Sequence, residues 1–179
     1  MTSTTHPHAV LFDRDDTLIE NVPYNGDPAA VVPMPHARAA LDRLREAGVK
    51  VGIVTNQSGV ARGIITADQM TAVNRRVEDL LGPFDVVLAC VHGPDDACSC
   101  RKPLPGLITS AAAQLNVAPE QVAVIGDIGS DMDAAAAAAA RGILVPTDVT
   151  LPGEIEAAPE VAADLVDAVA RLLPEREVS

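Results

Sequence analysis

Short apolar runs separated by amphipathic stretches recur along the chain, and most of these runs break off abruptly into polar residues. Ala9–Phe12, Lys50–Thr55, Asp85–Cys90, Val122–Ile125 and Ile143–Val145 read as five strands, because near-continuous Val, Leu, Ile and Ala is what a strand buried on both faces requires. Helical spacing fills the gaps. Ala39, Leu41, Leu44 and Ala47 recur along a helix that opens on Pro35 and stops at Gly48. Thr66 and Gln69 make a capping-box start for a helix to Leu81, stopped by Gly82-Pro83. Pro103 and Pro105 introduce a helix to Leu115, the alanine run Ala134–Ala140 reads as a helix ended by Gly142, and Asp164–Leu173 reads as the last. Between the first strand and helix, Glu20–Pro35 carries Pro23, Pro28, Pro33 and Pro35, which is too many prolines for a helix and long enough for a functional flap. This alternation predicts an α/β fold. No linker or repeat divides the chain, so residues 1–179 are expected to form a single domain, with Met1–His8 a loose tail whose His6 and His8 are solvated.

Composition narrows the partners. Hydrophobic residues make up 48% of the 179, enough for a core without covalent staples, and aromatics only 2%, so aliphatic side chains must fill it. A net charge of −12 repels nucleic acid and anionic membranes and leaves a small soluble ligand as the expected partner; a phosphorylated one would need local cations or metal. No apolar run reaches the ~18 residues of a membrane span, and the start lacks the plan of a signal peptide, so a cytoplasmic location is expected; the chain is expected to be a monomer.

The polar strand ends supply the chemistry. Asp13 and Asp15 follow the first strand two residues apart, and they converge on one ligand only if the chain turns between them. So placed, Asp13 could attack phosphorus while Asp15 protonates the leaving oxygen and later deprotonates water, with Mg2+ between the carboxylates and the phosphate. The competing reading is an acidic turn that only caps a loop. Thr55, Asn56, Gln57, Ser58 and Gly59, then Arg62-Gly63, offer neutral donors for phosphoryl oxygens, or an ordinary strand-to-helix turn. Asp127 is placed to complete a magnesium site with Asp13, and Asp131 can orient it or cap the next helix. Cys90-x-His92 and Cys98-x-Cys100 match the ligand set of a closed, structural zinc site that would fix Arg101 and Lys102 within reach of phosphate.

Asp13-x-Asp15-x-Thr17, Thr55, Lys102 and Gly126-Asp127-x-x-x-Asp131, in that order at strand ends, resemble the motifs of the haloacid dehalogenase-like phosphatase superfamily. The Thr55–Gly59 and Arg62-Gly63 segments, with the Cys/His loop leading into Arg101-Lys102-Pro103, resemble the D-glycero-D-manno-heptose 1,7-bisphosphate phosphatases and the related histidinol-phosphate phosphatases. The resemblance implies a single doubly wound, Rossmann-like parallel sheet with helices on both faces, Mg2+ catalysis and a structural Zn2+. It implies that Asp13 is the nucleophile, Asp15 the acid and base, and Thr55 and Lys102 the phosphoryl stabilisers. Mg2+ would be held by Asp13, the Asp15 carbonyl and Asp127. Substrate would be contacted by Asn21, Val22, Pro23, Tyr24, Thr55, Asn56, Gln57, Ser58, Arg101 and Lys102. That superfamily inserts its cap domain after the first or second motif; the gaps here are too small for one, so the site is expected to be open. Arg101, helped by Arg62, is the expected cation for a second phosphate. Two positions depart from the heptose enzymes, which carry glycine at Asp16 and lysine at Ile128. Aspartate tolerates a left-handed backbone, and the Asp16 carboxylate is expected to turn from the metal and bond its own turn. The alternatives are histidinol phosphate, whose ammonium would seek Glu20 or Asp27, and a zinc-stapled binding module without catalysis.

Overall fold

The computed structural model describes residues 6–173. Its five strands, β1 (Ala9–Phe12), β2 (Lys50–Asn56), β3 (Val86–Cys90), β4 (Val122–Gly126) and β5 (Arg141–Leu144), form one parallel sheet in the order β3-β2-β1-β4-β5. The helices are α1 (Ala37–Glu46), α2 (Ala67–Leu81), α3 (Gly106–Leu115), α4 (Gly129–Ala137), α5 (Pro152–Ala157) and α6 (Leu165–Leu172).

Strand alternation sorts the core into two layers. Val10 and Phe12 of β1 face α1, α2 and α6, where Leu41, Leu44, Val73, Val77, Val169 and Leu172 are buried. Ala9 and Leu11 face α3 and α4, packing with Ile108, Ala111, Ala112, Ala134 and Ala135. Both faces of the sheet are therefore covered, which is why its strands read as apolar runs. Sequence order runs outward from β1 in one direction through β2 and β3 and jumps back to β4, so the gap between the carboxyl ends of β1 and β4 is the switch point where such sheets bind ligands. The segment between β1 and α1 adds only a 3-10 turn at Pro28–Ala30 capped by Asp27, and that between β2 and β3 only α2, so no cap layer is inserted there. No helix among the described residues is long and apolar enough to cross a membrane.

Several boundaries differ from the sequence reading. Pro35 does not open α1; His36 precedes it with φ 64°, and the helix begins at Ala37. α4 begins at Gly129 and stops at Ala137, inside the alanine run, with Ala139 left-handed at φ 59°. Gly142, expected as the stop, lies within β5, where a Cβ would press on Met132 Sδ at 3.0 Å; the missing side chain lets α4 pack on the sheet. α5 falls between Val145 and Asp164, where the sequence pattern predicts no element, a helix of six residues being too short to show a period. His8 does not hang free: its N–H donates to the Gln121 carbonyl and its carbonyl accepts from Lys50 N–H. Residues 1–5 of the expected tail lie outside the described residues.

Candidate active site

Asp13 follows β1 directly and continues its alternation on the side of α3 and α4, and its N–H donates to the Ile125 carbonyl at 2.9 Å. The chain then turns as the two-acid spacing demands: the Arg14 carbonyl accepts from the N–H groups of Leu18 and Ile19, at 2.9 and 3.1 Å. Asp13 and Asp15 consequently line one cavity of about 250 Å³ together with Asp16, Asn21, Asn56, Lys102, Asp127, Ile128, Ser130 and Val149. A second opening of about 280 Å³ shares the wall of Asp15, Asn21 and Asn56 and is lined further by Arg14, Val22, Pro23, Tyr24, Asn25, Gln57, Ser58 and Gly59. Together they have the scale of a small-metabolite site.

Lys102 is the centre of the charge arrangement. Only 4% exposed, its Nζ donates to Asp13 Oδ1 at 2.9 Å, Asp131 Oδ1 at 2.5 Å and the Val54 carbonyl at 3.0 Å. Burial alone would lower the lysine pKa, but Asp13 and Asp131 outweigh it and hold the ammonium above its ordinary value. Asn56 splints the Lys102 backbone from β2: its amide donates to the Lys102 carbonyl and its Oδ1 accepts the Lys102 N–H, both at 3.1 Å. Gly126 makes room for this cluster, since any Cβ there would collide with the Asp131 side chain.

One lysine does not balance three carboxylates. Asp13, Asp127 and Asp131 offer ligand oxygens within 4.8 Å of one another. Burial, then repulsion from Asp13 and Asp131, pushes the Asp127 pKa up to about 8. Burial and Asp13 push Asp131 up to about 6. A set of crowded, desolvated carboxylate oxygens fits a hard divalent cation, which would remove the repulsion that raises these values. Both oxygens of Asp131 are already engaged, by Lys102 Nζ and by the Ile128 N–H at 3.3 Å, so Asp13 and Asp127 are the freer donors.

Asp15 is placed differently. Burial raises its pKa, opposed chiefly by the neighbouring Arg14. Gln57 Nε2 donates to Asp15 Oδ2 at 2.8 Å and to Thr55 Oγ1 at 2.9 Å, so both amide hydrogens are used and the Thr55 hydroxyl keeps its own hydrogen for another acceptor. Gln57, expected as a substrate contact, lines the second opening but acts here as a brace. Arg101 lines neither cavity; its Nη1 reaches the His92 carbonyl at 3.4 Å. Arg62 lies 5.9 Å from the centre of the Tyr24 ring. Asp16 is left-handed as anticipated, at φ 58°, but among the described residues nothing hydrogen-bonds its carboxylate. Instead its own N–H donates to the Ile19 carbonyl, and the residue lines the cavity. The expected side-chain bond within the turn is not formed. Unanticipated are the roles of Arg14, which is buried, and of Asn74, which accepts from it.

The cysteine loop converges as its spacing implies. Sγ of Cys90 lies 3.4 Å from His92 Nδ1 and 4.0 Å from Cys98 Sγ, and Cys100 Sγ lies 3.3 Å from the same nitrogen. Zn–S bonds of ~2.3 Å give tetrahedral edges of ~3.8 Å, and the four ligand atoms, all within 4.8 Å of one another, are on the scale of such a site. Burial and the neighbouring thiols push the Cys100 pKa up to about 12, a shift that a bound cation would oppose.

A family model for haloacid dehalogenase-like hydrolases matches residues 24–139. The chain therefore belongs to the haloacid dehalogenase-like hydrolases, and its relatives place it among that family's phosphatases. It is 38% identical over 143 residues to the D-glycero-beta-D-manno-heptose-1,7-bisphosphate 7-phosphatase of Pseudomonas putida, a match covering 77% of this chain and 82% of that one. The enzyme of the same name from Bordetella bronchiseptica is 32% identical over 175 residues, 93% of this chain and 98% of the relative. A crystal structure of the B. bronchiseptica D,D-heptose 1,7-bisphosphate phosphatase complexed with magnesium and phosphate superposes with a TM-score of 0.84 at 30% identity, covering 94% of this chain and 99% of that one.

Proposed function

We propose that this chain is a Mg2+-dependent phosphomonoesterase that removes the C7 phosphate of a D-glycero-D-manno-heptose 1,7-bisphosphate. The observation that carries the reading is the convergence of Asp13 and Asp15 on one cavity beside Lys102 and Asp127 at the switch point of the sheet. The near full-length similarity to the B. bronchiseptica enzyme supports the substrate.

In this reading an Asp13 oxygen attacks phosphorus, the bond from phosphorus to the sugar oxygen breaks, and Asp15 gives its proton to that oxygen. Water then attacks the aspartyl-phosphate, Asp15 takes a proton from it, and the bond between phosphorus and Asp13 breaks to release phosphate. Lys102 and the free hydrogen of Thr55 stabilise the phosphoryl oxygens through both steps. Mg2+, held by Asp13, Asp127 and the Asp15 carbonyl with Asp131 behind them, would neutralise charge between carboxylate and phosphate. Asn21, Val22, Pro23, Tyr24, Asn56 and Ser58 line the route for the sugar. Arg101 is proposed to engage the second phosphate, its 3.4 Å contact to the His92 carbonyl being weak enough for an anion to displace.

Specificity constants on a phosphomonoester panel with Mg2+ test this. The heptose bisphosphate should exceed both a simple sugar monophosphate and histidinol phosphate by at least ~10-fold, the scale of one charge-assisted contact. Asp16, lining the cavity without a partner, is the feature that favours an ammonium-bearing substrate, and a preference for histidinol phosphate would replace the heptose reading. Structural Zn2+ at Cys90, His92, Cys98 and Cys100 is proposed alongside. Protein purified without added zinc should contain about one equivalent, and Cys98→Ser should lower that content and the unfolding temperature together. Zinc-free, fully active protein would make the cysteines bystanders.

A further inference from the structure

Arg14 stands between the two acids in sequence, yet it is absent from the lining of the cavity that holds Asp13 and Lys102, borders the second opening instead, and is 1% exposed. Its Nε donates to Asp15 Oδ1 at 3.3 Å, and its Nη2 reaches both Asp15 oxygens at 3.2 Å. The remaining arm leaves the active-site loop altogether: Nη1 donates to Asn74 Oδ1 on α2 at 2.8 Å. Burying a guanidinium costs several kcal/mol unless it is fully paired, and an apolar residue of similar volume would pack there more cheaply. What the fork geometry offers beyond stability is a fixed orientation of its partner. A fork across both carboxylate oxygens fixes the plane of the carboxyl group, which a single ammonium contact does not. α2 gives the fork a rigid base, because it is locked at its start by the reciprocal Thr66–Gln69 capping box and buried along Val73, Val77 and Leu81.

We propose that Arg14 and Asn74 are positioning residues: α2, through Asn74, holds the Arg14 fork, and the fork aims the Asp15 carboxyl group at the leaving oxygen. Gln57 Nε2 donates to Oδ2 of the same carboxylate at 2.8 Å. The inference rests on the reading of Asp15 as the acid and extends it to a helix that lines neither opening of the site. A merely structural contact would affect all substrates alike. An aiming device matters most where the leaving oxygen needs its proton.

The test compares kcat/KM for an alkyl phosphate, such as a sugar monophosphate, with that for p-nitrophenyl phosphate, whose phenolate leaves with little protonation. Arg14→Met strands a buried carboxylate and can simply unfold, so the informative variants are Asn74→Leu, which removes the acceptor, and Asn74→Asp, which keeps it. Asn74→Leu is expected to lose about tenfold on the alkyl substrate and less than about twofold on the aryl one, since misaiming a proton donor forfeits part of its ~10²–10⁴-fold contribution. Asn74→Asp should stay within about twofold of the parent on both. Equal losses on the two substrates, no loss from Asn74→Leu, or failure of Asn74→Asp to rescue overturns the proposal. Asp15→Asn run in parallel separates it from the reading beneath. Selective loss in Asp15→Asn with a flat Asn74→Leu defeats the positioning role alone, whereas unselective loss in Asp15→Asn removes Asp15 as the acid.

Discussion

Asp13→Asn is expected to lower turnover by at least ~10³ while leaving the fold intact, the scale on which a covalent catalyst is lost. The amide keeps the shape of the carboxylate at the end of β1 and can still accept from Lys102 Nζ, now 2.9 Å from Asp13 Oδ1, but it has no charge to direct at phosphorus. Because Asp13 also raises the pKa of both Asp127 and Asp131, the neutral variant relieves repulsion in the metal-free protein. Its unfolding midpoint in chelator should equal or exceed that of the parent. Steady-state rates with Mg2+, combined with mass spectrometry of acid-quenched parent enzyme for a phosphorylated Asp13 peptide, check the prediction. Activity within tenfold of the parent would end the covalent mechanism.

Lys102→Met should be damaging in two separate ways. Removing the ammonium leaves Asp13 and Asp131 buried without their shared partner, a loss on the order of 3–5 kcal/mol by analogy with broken buried ion pairs. The same change removes the cation proposed to stabilise the phosphoryl group, expected to cost a further ~10²-fold in kcat among molecules that remain folded. Urea unfolding in chelator measures the first effect, and rates at saturating Mg2+, under conditions where the variant is folded, measure the second. Added Mg2+ should recover much of the stability and little of the rate, because a second cation near the carboxylates offsets their charge but does not occupy the Nζ position. A variant as stable and active as the parent would show that the contacts at 2.5 and 2.9 Å carry neither function.

Much of this site was legible in the sequence because of what buried parallel strands look like. An apolar run tolerates acids only at its end, so Asp13 and Asp127 stood out, and the spacing of Cys90, His92, Cys98 and Cys100 was itself geometric information. Arg14 was adjacent to the acids but gave no sign of its direction, since its partner Asn74 lies 60 residues away on a helix face. Gln57 belonged to a recognised segment, yet only the fold reveals that its hydrogens are spent on Asp15 and Thr55. The alanine run misled for a different reason. Nothing local stops a helix at Ala137; the stop comes from the sheet, which pairs Arg141 with Ala123 and so requires the chain to have turned beforehand. Asp16 shows the limit of turn chemistry: its left-handed backbone was foreseeable, the orientation of its carboxylate was not.

Gly126 lines neither opening of the site, yet substitution there has few places to go. Alanine adds a single carbon, and that carbon would meet the Asp131 carboxylate, which is tied to Lys102 and to the Ile128 N–H and has no open side toward which to retreat. Relief would have to come from moving β4 or α4, and with either would move Asp127 or the acceptor that steadies Lys102. Engineering of this scaffold toward other phosphate esters is therefore freer at the rim, in the segment around Asn21–Tyr24, than at this hydrogen-sized position, where a volume constraint protects an electrostatic one.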